Sequence, residues 1–203
     1  MYFSKTPQLL QNLFPDLLCR IPGEEKVVYL TFDDGPTEGV TEEVLDLLTM
    51  HNAKATFFCL GRQVHKYPEL YERIIGGGHR IGNHGYSHFD GWRTPTSTYL
   101  GDVERAEDLI KTDIFRPPYG RMRPAQYQAL RQRYQLVLWD VMPGDFMQDR
   151  TPADCYKVLN DYTAPGSIVV LHDSNNAYPR LREILPRFLE EFTAKGYTFE
   201  ALR

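Results

Sequence analysis

From residue 26 onward the chain alternates between two hydrophobic rhythms. Short, continuous apolar runs such as Val27-Val28-Tyr29-Leu30 and Ile168-Val169-Val170-Leu171 read as strands covered on both faces, because a parallel strand between two layers has no solvent face to keep polar. Between these runs apolar residues recur every three or four positions, as at Leu181, Ile184, Leu185, Phe188, Leu189 and Phe192, with charged residues interleaved. The pattern predicts strands over 26–32, 54–60, 80–83, 114–116, 135–141, 167–172 and 197–201, and helices over 38–50, 68–75, 98–111, 124–133, 152–162 and 179–195. Such alternation makes an α/β domain with a parallel sheet. Seven strand–helix units predict a distorted (β/α)7-8 barrel, with a doubly wound open sheet as the alternative. The polar clusters favour the barrel, since each falls at the C-terminal end of a predicted strand, the face where β/α barrels assemble their sites.

Ahead of the barrel, Leu9, Leu10, Leu13, Phe14, Leu17, Leu18 and Ile21 recur at helical spacing. Residues 1–25 are therefore expected to form an amphipathic segment packed on the barrel, with 26–203 as one domain. Only Lys5 and Arg20 are basic in that segment, a poor composition for lying on a membrane.

Composition narrows the partners. The formal net charge is −4 and no Lys/Arg cluster is interleaved with aromatics, so no nucleic acid is expected. Cys19, Cys59 and Cys155 are odd in number and lack C-x-x-C spacing, which reads as buried free thiols. No run approaches the roughly 20 apolar residues of a membrane span. No basic start leads into an unbroken apolar core either, so the expected compartment is cytoplasmic. Nothing points to a protein partner.

The chemistry starts at Thr31-Phe32-Asp33-Asp34-Gly35-Pro36. Two adjacent carboxylates close a buried strand before a Gly-Pro break, a costly placement unless a cation or hydrogen bonds compensate. Adjacent side chains of an extended segment diverge, so the pair can do two jobs. Downstream, His84-Gly85-Tyr86-Ser87-His88 sets two imidazoles four residues apart at a strand end. Two His and one carboxylate make a common divalent-metal set with positions left open for water and substrate.

These two motifs, with Arg116-Pro117-Pro118-Tyr119-Gly120, Asp145-Phe146 and Leu171-His172-Asp173, stand in the order of the five motifs of the NodB-type polysaccharide deacetylases, carbohydrate esterase family 4, which the chain resembles from about Lys26 to its end. The resemblance implies a metal site of Asp34, His84 and His88, holding Zn²⁺ or else Co²⁺ or another first-row ion. It makes Asp33 the base that takes a proton from water, and His172 the acid that protonates the departing amine. Arg116 would pair with Asp33, and Asp145 with His172. The Tyr119 backbone N–H would hold the oxyanion, Phe146 would wall the substrate, and Leu171 would line a pocket for the acetyl methyl. Read from the residues alone, Asp173 at the strand end is expected to cap the next helix.

The resemblance thus implies a metal-dependent hydrolase that removes N-acetyl groups from amino sugars of a chitin-like or peptidoglycan-like oligo- or polysaccharide. An acetyl-ester hydrolase on acetylated xylan, a small-molecule amidase and a carbohydrate-binding pseudoenzyme share the scaffold. Two positions depart from the family pattern. Gly85 replaces the usual Thr or Ser, which is expected to leave the His84–His88 loop more flexible, and Phe146 replaces the usual Trp. Tyr86, Phe89 and Trp92 are candidates for sugar stacking near the metal, or for packing.

Overall fold

The computed structural model describes residues 4–7, 16–23 and 25–203. Eight strands are joined by parallel pairings: β1 (Leu17–Leu18), β2 (Val27–Asp33), β3 (Thr56–Cys59), β4 (Arg80–Asn83), β5 (Ile114–Phe115), β6 (Gln135–Val137), β7 (Ile168–His172) and β8 (Thr198–Glu200). The order runs β1-β6-β5-β4-β3-β2-β7, with β8 beside β2. Past β6 the chain makes one more parallel bridge, Val141 to Val169 of β7, which brings the ends of the sheet together. The α-helices among the described residues are α1 (Val40–Met50), α2 (Gly61–Lys66), α3 (Pro68–Gly76), α4 (Thr96–Glu107), α5 (Pro124–Leu130), α6 (Pro152–Tyr162) and α7 (Tyr178–Ala194).

Strand periodicity sorts the core into layers. In β2 every residue is buried. Val27 and Tyr29 join Phe58, Ile114, Val137 and Ile168 in one cluster inside the barrel, while Val28, Leu30 and Phe32 join the α1 and α7 residues in a larger one outside it. Thr31 and Asp33 share the inward face, so the column ends in polar groups where the strands end. This places the chemistry on top of a sealed apolar interior.

The N-terminal segment departs from expectation. Leu17 and Leu18 are extended, pairing with Leu136 and Val137, and the Leu138 N–H donates to the Leu18 carbonyl. Arg20 then bridges Ser167 and Lys5 bridges Val141, both antiparallel. The open edges of β6 and β7 carry backbone groups that must find partners, and that demand overrides the helical spacing at Leu17, Leu18 and Ile21. Leu9, Leu10, Leu13 and Phe14 lie outside the described residues. This wedge is also why the expected strand 135–141 is a ladder only over Gln135–Val137. The short helix α2 was not foreseen, because six residues starting at a glycine carry no apolar repeat. Among the described residues no helix is long and apolar enough to cross a membrane.

Asp140 pins the wedge, accepting from Lys5 Nζ (2.6 Å) and Ser167 Oγ (2.6 Å), with Arg20 at 3.7 Å. Its carboxylate is buried. Asp140→Ala should lower unfolding stability by about 1–3 kcal/mol, the range for hydrogen bonds to a charged group, discounted because Lys5 and Arg20 are partly solvated. Urea denaturation measures this; a loss below about 0.5 kcal/mol would mean the wedge is held by its backbone pairing alone.

Candidate metal and catalytic site

Four strand ends and one loop deliver the polar groups. Asp33 ends β2, His84 follows β4, Arg116 follows β5, and His172 ends β7, while Asp145 sits in the loop past the Val141 bridge. Asp34, His84 and His88 each turn a ligand atom to one place, all within 4.8 Å of one another. Asp34 Oδ1 lies 3.3 Å from His88 Nε2 and 3.8 Å from His84 Nε2. The His84 Nδ1 is 2.7 Å from the Arg116 carbonyl, which can only accept. That nitrogen therefore carries a proton, and Nε2 is the atom turned toward Asp34. Burial, with His84 adding, pushes His88 down to about 4 against the pull of Asp34 and Asp33, so its ring is neutral at pH 7. Asp34 Oδ1 is buried with no hydrogen-bond partner. One carboxylate oxygen and two imidazole nitrogens, with an unmet acceptor among them, fit a divalent cation.

Next to this cluster stand two ion pairs of opposite purpose. Arg116 is fully buried and donates from Nη1 to Asp33 Oδ1 (2.6 Å) and Thr31 Oγ1 (2.8 Å), and from Nη2 to the Leu138 carbonyl (2.9 Å). Burial alone would raise the Asp33 carboxyl, but Arg116, His84 and His172 outweigh it and hold the group below the ordinary carboxylate value. On the other side, Asp145 Oδ1 is 2.9 Å from His172 Nδ1 and Oδ2 accepts the His172 N–H at 2.8 Å. Burial would lower the imidazole, yet Asp145, aided by Asp34 and Asp33, brings it up to about 9. At neutral pH the site therefore holds a carboxylate and an imidazolium side by side.

The backbone is strained where the chemistry is. Four described non-glycine residues have positive φ, and three of them are Asp34 (82°), His88 (62°) and Tyr119 (60°). Such conformations persist only where the surroundings over-determine them. The turn at Pro117–Arg121 makes its two bonds from the Gly120 and Arg121 N–H groups and leaves the Tyr119 N–H out of them.

Three holding groups escaped sequence reasoning. Asp102 on α4 accepts from the Tyr86 and Ser87 N–H groups (2.9 and 3.0 Å), while Asn83 Oδ1 accepts from Gly85 N–H (2.7 Å), so the His84–His88 loop is tied down. Arg180 donates from Nε to the Asp145 carbonyl (2.5 Å). Asp102 and Arg180 lie on helices far along the chain from the loops they hold, and spacing carries no signal for that. Asp173 caps no following helix; it accepts from Gly35 N–H (3.1 Å) and Thr41 Oγ1 (2.6 Å) and so braces the turn after Asp34.

Two other expectations change. Leu171 points away from His172, as neighbours in a strand must, and is fully buried in the outer core with Phe32, Val169 and Leu181. Gly85 does not loosen its loop; it sits at φ 76°, where a side chain is disfavoured, and a Cβ there would come 3.1 Å from Asp102 Oδ2. Phe146 keeps an aromatic wall, its ring 4.9 Å from the His172 ring.

This loop makes a testable point. Asp102→Ala frees two backbone donors that aim the metal-binding loop, and should weaken divalent-metal binding by about tenfold or more, the scale of lost supporting contacts. Gly85→Thr should weaken it further than Gly85→Asn, since asparagine tolerates positive φ and a β-branched residue does not. Metal titration monitored by calorimetry measures both; tighter binding in Gly85→Thr would mean a hydroxyl there outweighs the backbone cost.

The profile of the polysaccharide deacetylase family matches residues 20–137. A peptidoglycan-N-acetylglucosamine deacetylase of Bacillus cereus is 33% identical over 187 residues, covering 88% of this chain and 87% of its own. A chitooligosaccharide deacetylase of Bradyrhizobium is 34% identical over 183 residues, covering 86% and 80%. A crystal structure of a peptidoglycan N-acetylglucosamine deacetylase superposes with a TM-score of 0.83 at 29% identity, covering 92% of this chain and 91% of that one. With the strand-end site in place over the same barrel, the chain belongs to the polysaccharide deacetylase family.

Proposed function

We propose that this chain removes acetyl groups from N-acetylated amino sugars of a chitin-like or peptidoglycan-like glycan, with one divalent ion, Zn²⁺ by the donor set, held by Asp34, His84 and His88. The observation that carries the reading is the oppositely tuned pair Asp33 and His172 beside that cluster. The activities that similar proteins are named for, on peptidoglycan and on chitooligosaccharides, agree with it.

When bound, the ion supplies Lewis acidity toward the acetyl carbonyl and the attacking water. Asp33, kept ionised by Arg116, takes the proton that water loses as its oxygen adds to the carbonyl carbon. The Tyr119 N–H is available to the oxygen that gains charge. His172 then gives its Nε2 proton to the amide nitrogen, the C–N bond breaks, and acetate and a free amine leave. An unprotonated amine is a poor leaving group, whereas an alkoxide needs less help, so an imidazolium at about 9 suits an amide better than an ester.

Acetate release from chitooligosaccharides, peptidoglycan fragments and acetylated xylan tests the reading. Release from N-acetylated substrates that stops on chelation and returns with Zn²⁺ is expected; release from the xylan alone would make the chain an ester hydrolase, and full activity of the chelated protein would sink the mechanism. Asp33→Asn and His172→Ala should each retain the fold and lose about a hundredfold or more in kcat. The pH profile has two limbs with opposite signs. The acid limb lies below the ordinary carboxylate range because Asp33 is held down; the alkaline limb lies near 9, where His172 loses its proton. Asp145→Asn removes the anion that keeps His172 protonated and should move the alkaline limb to lower pH. An unmoved limb would mean that Asp145 does not set the acid.

A further inference from the structure

We infer that Trp92 and the arginines around it form a second saccharide subsite, which takes a carboxylate-bearing sugar residue of the same glycan chain; this rests on the deacetylase reading above. Trp92 is 60% exposed, an expensive place for the largest apolar side chain. Its backbone and ring are nonetheless fixed. Its N–H donates to Asp90 Oδ1 (2.9 Å), its carbonyl accepts from Arg123 Nη2 (2.9 Å) and Nε (3.3 Å), and its indole Nε1 donates to the Met122 carbonyl (3.2 Å).

The two segments that meet there are clamped from below. Gln126, fully buried, donates from Nε2 to the Gly91 and Thr94 carbonyls (3.1 and 3.2 Å) and accepts the Arg123 N–H at Oε1 (2.8 Å). Gly91 permits the close approach, because a Cβ there would sit 2.3 Å from the Arg121 carbonyl oxygen. Arg121 is held by Asp90 Oδ2 (2.8 Å) and lies 5.0 Å from the Trp92 ring centroid. An exposed aromatic face that is already immobile is what the apolar C–H face of a sugar needs, since little ordering entropy remains to be lost on stacking.

The platform is continuous with the reacting centre. Arg121 is 5.9 Å from the Tyr119 ring, and that ring is 4.5 Å from the ring of the metal-site residue His88. Tyr119 is 57% exposed, so a chain of sugars laid from the metal cluster across Tyr119 reaches Trp92. Charge then selects among glycans. Residues 90–93 and 121–123 carry three arginines, Arg93, Arg121 and Arg123, against the single carboxylate of Asp90, on a chain whose net charge is −4. Arg93 is almost fully solvated and touches Asp90 only at 4.0 Å, leaving it free to meet a ligand carboxylate. A neutral chitin-like chain would use the ring alone; a chain with carboxylates on its sugars uses both.

The test compares the parent with Trp92→Ala and Arg93→Gln on three substrates: a neutral chitin disaccharide, a neutral chitin hexamer, and peptidoglycan glycan strands carrying carboxylates. Both residues are exposed, and thermal melts confirm that the variants fold. Trp92→Ala should raise KM for the hexamer and the strands about tenfold more than for the disaccharide, as loss of an aromatic stacking contact predicts. Arg93→Gln should weaken the strands several-fold and spare the hexamer, and its effect should vanish at high salt. Calorimetric binding of the strands to the chelated protein should show the same Trp92 dependence without any turnover. Equal losses of the Trp92 variant on all three substrates, or unchanged strand binding, would overturn the subsite; equal effects of Arg93→Gln on hexamer and strands would overturn its selectivity for carboxylates. A parent that binds strands through Trp92 but releases acetate from none of the substrates would sink the deacetylase reading and leave the subsite standing.

Discussion

The ion pair between Arg116 and Asp33 is the constraint on which the site is built. Both side chains are buried, and the guanidinium lies over Phe58, its central carbon 4.1 Å from the ring centroid, capping the apolar interior of the barrel. Burying either charge alone would cost several kcal/mol, and two charges taken from water repay that only with close geometry and further hydrogen bonds. Here the fork is used on Asp33, on Thr31 from the same strand, and on the Leu138 carbonyl past β6. The carbonyl of the same arginine fixes the His84 tautomer. One residue thus joins three strand ends and holds both a carboxylate and an imidazole of the candidate metal site. Lysine could not replace it, because a point donor cannot serve these acceptors in one plane.

The two ion pairs also make stability and catalysis share a pH window. Asp33 has its folded value depressed, so its contribution is present above the ordinary 3.8 and is lost as pH falls through the folded value. His172 has its folded value raised, so its contribution is full below the ordinary 6.5 and is lost as pH rises through about 9. The protonation states that hold the fold are those that the proposed base and acid need. Drift that weakens one pair would therefore show in both properties, which leaves little room to trade one against the other at these positions.

Most of the barrel was legible because its signals are local. A strand buried on both faces and a helix with one apolar stripe each announce themselves within ten residues, and the strand 80–83 and helix 152–162 appear where the pattern places them. The site was legible for a related reason: charged residues at the end of an apolar strand have no structural excuse. What failed was set by distant partners. Leu17 and Leu18 carry a helical spacing but answer to unpaired edges more than a hundred residues away. Leu171 sits next to His172 in sequence and on the opposite face in space, which follows from the strand alternation itself. Asp102 and Arg180 are ordinary helix residues until the loops they hold are seen.

Gly85 shows how misleading a single substitution can be when read without its supports. A missing hydroxyl suggests a looser loop, but rigidity belongs to the set of bonds that close the loop. Asn83 and Asp102 take three successive backbone donors there, and the Gly85 carbonyl accepts from Gly61 N–H at 2.9 Å. A loop satisfied in this way can hold His88 at positive φ, a strain of order 1 kcal/mol or more that an untied loop would release by turning the imidazole away from Asp34. The left-handed glycine is then part of the bracing, since it takes the positive φ without strain and leaves Asp102 room to approach closely. The same logic governs Trp92, where buried Gln126 and Gly91 fix a ring that faces solvent. In both places the chain uses buried polar contacts to hold an exposed group still, which is how a stable barrel presents chemistry at its rim.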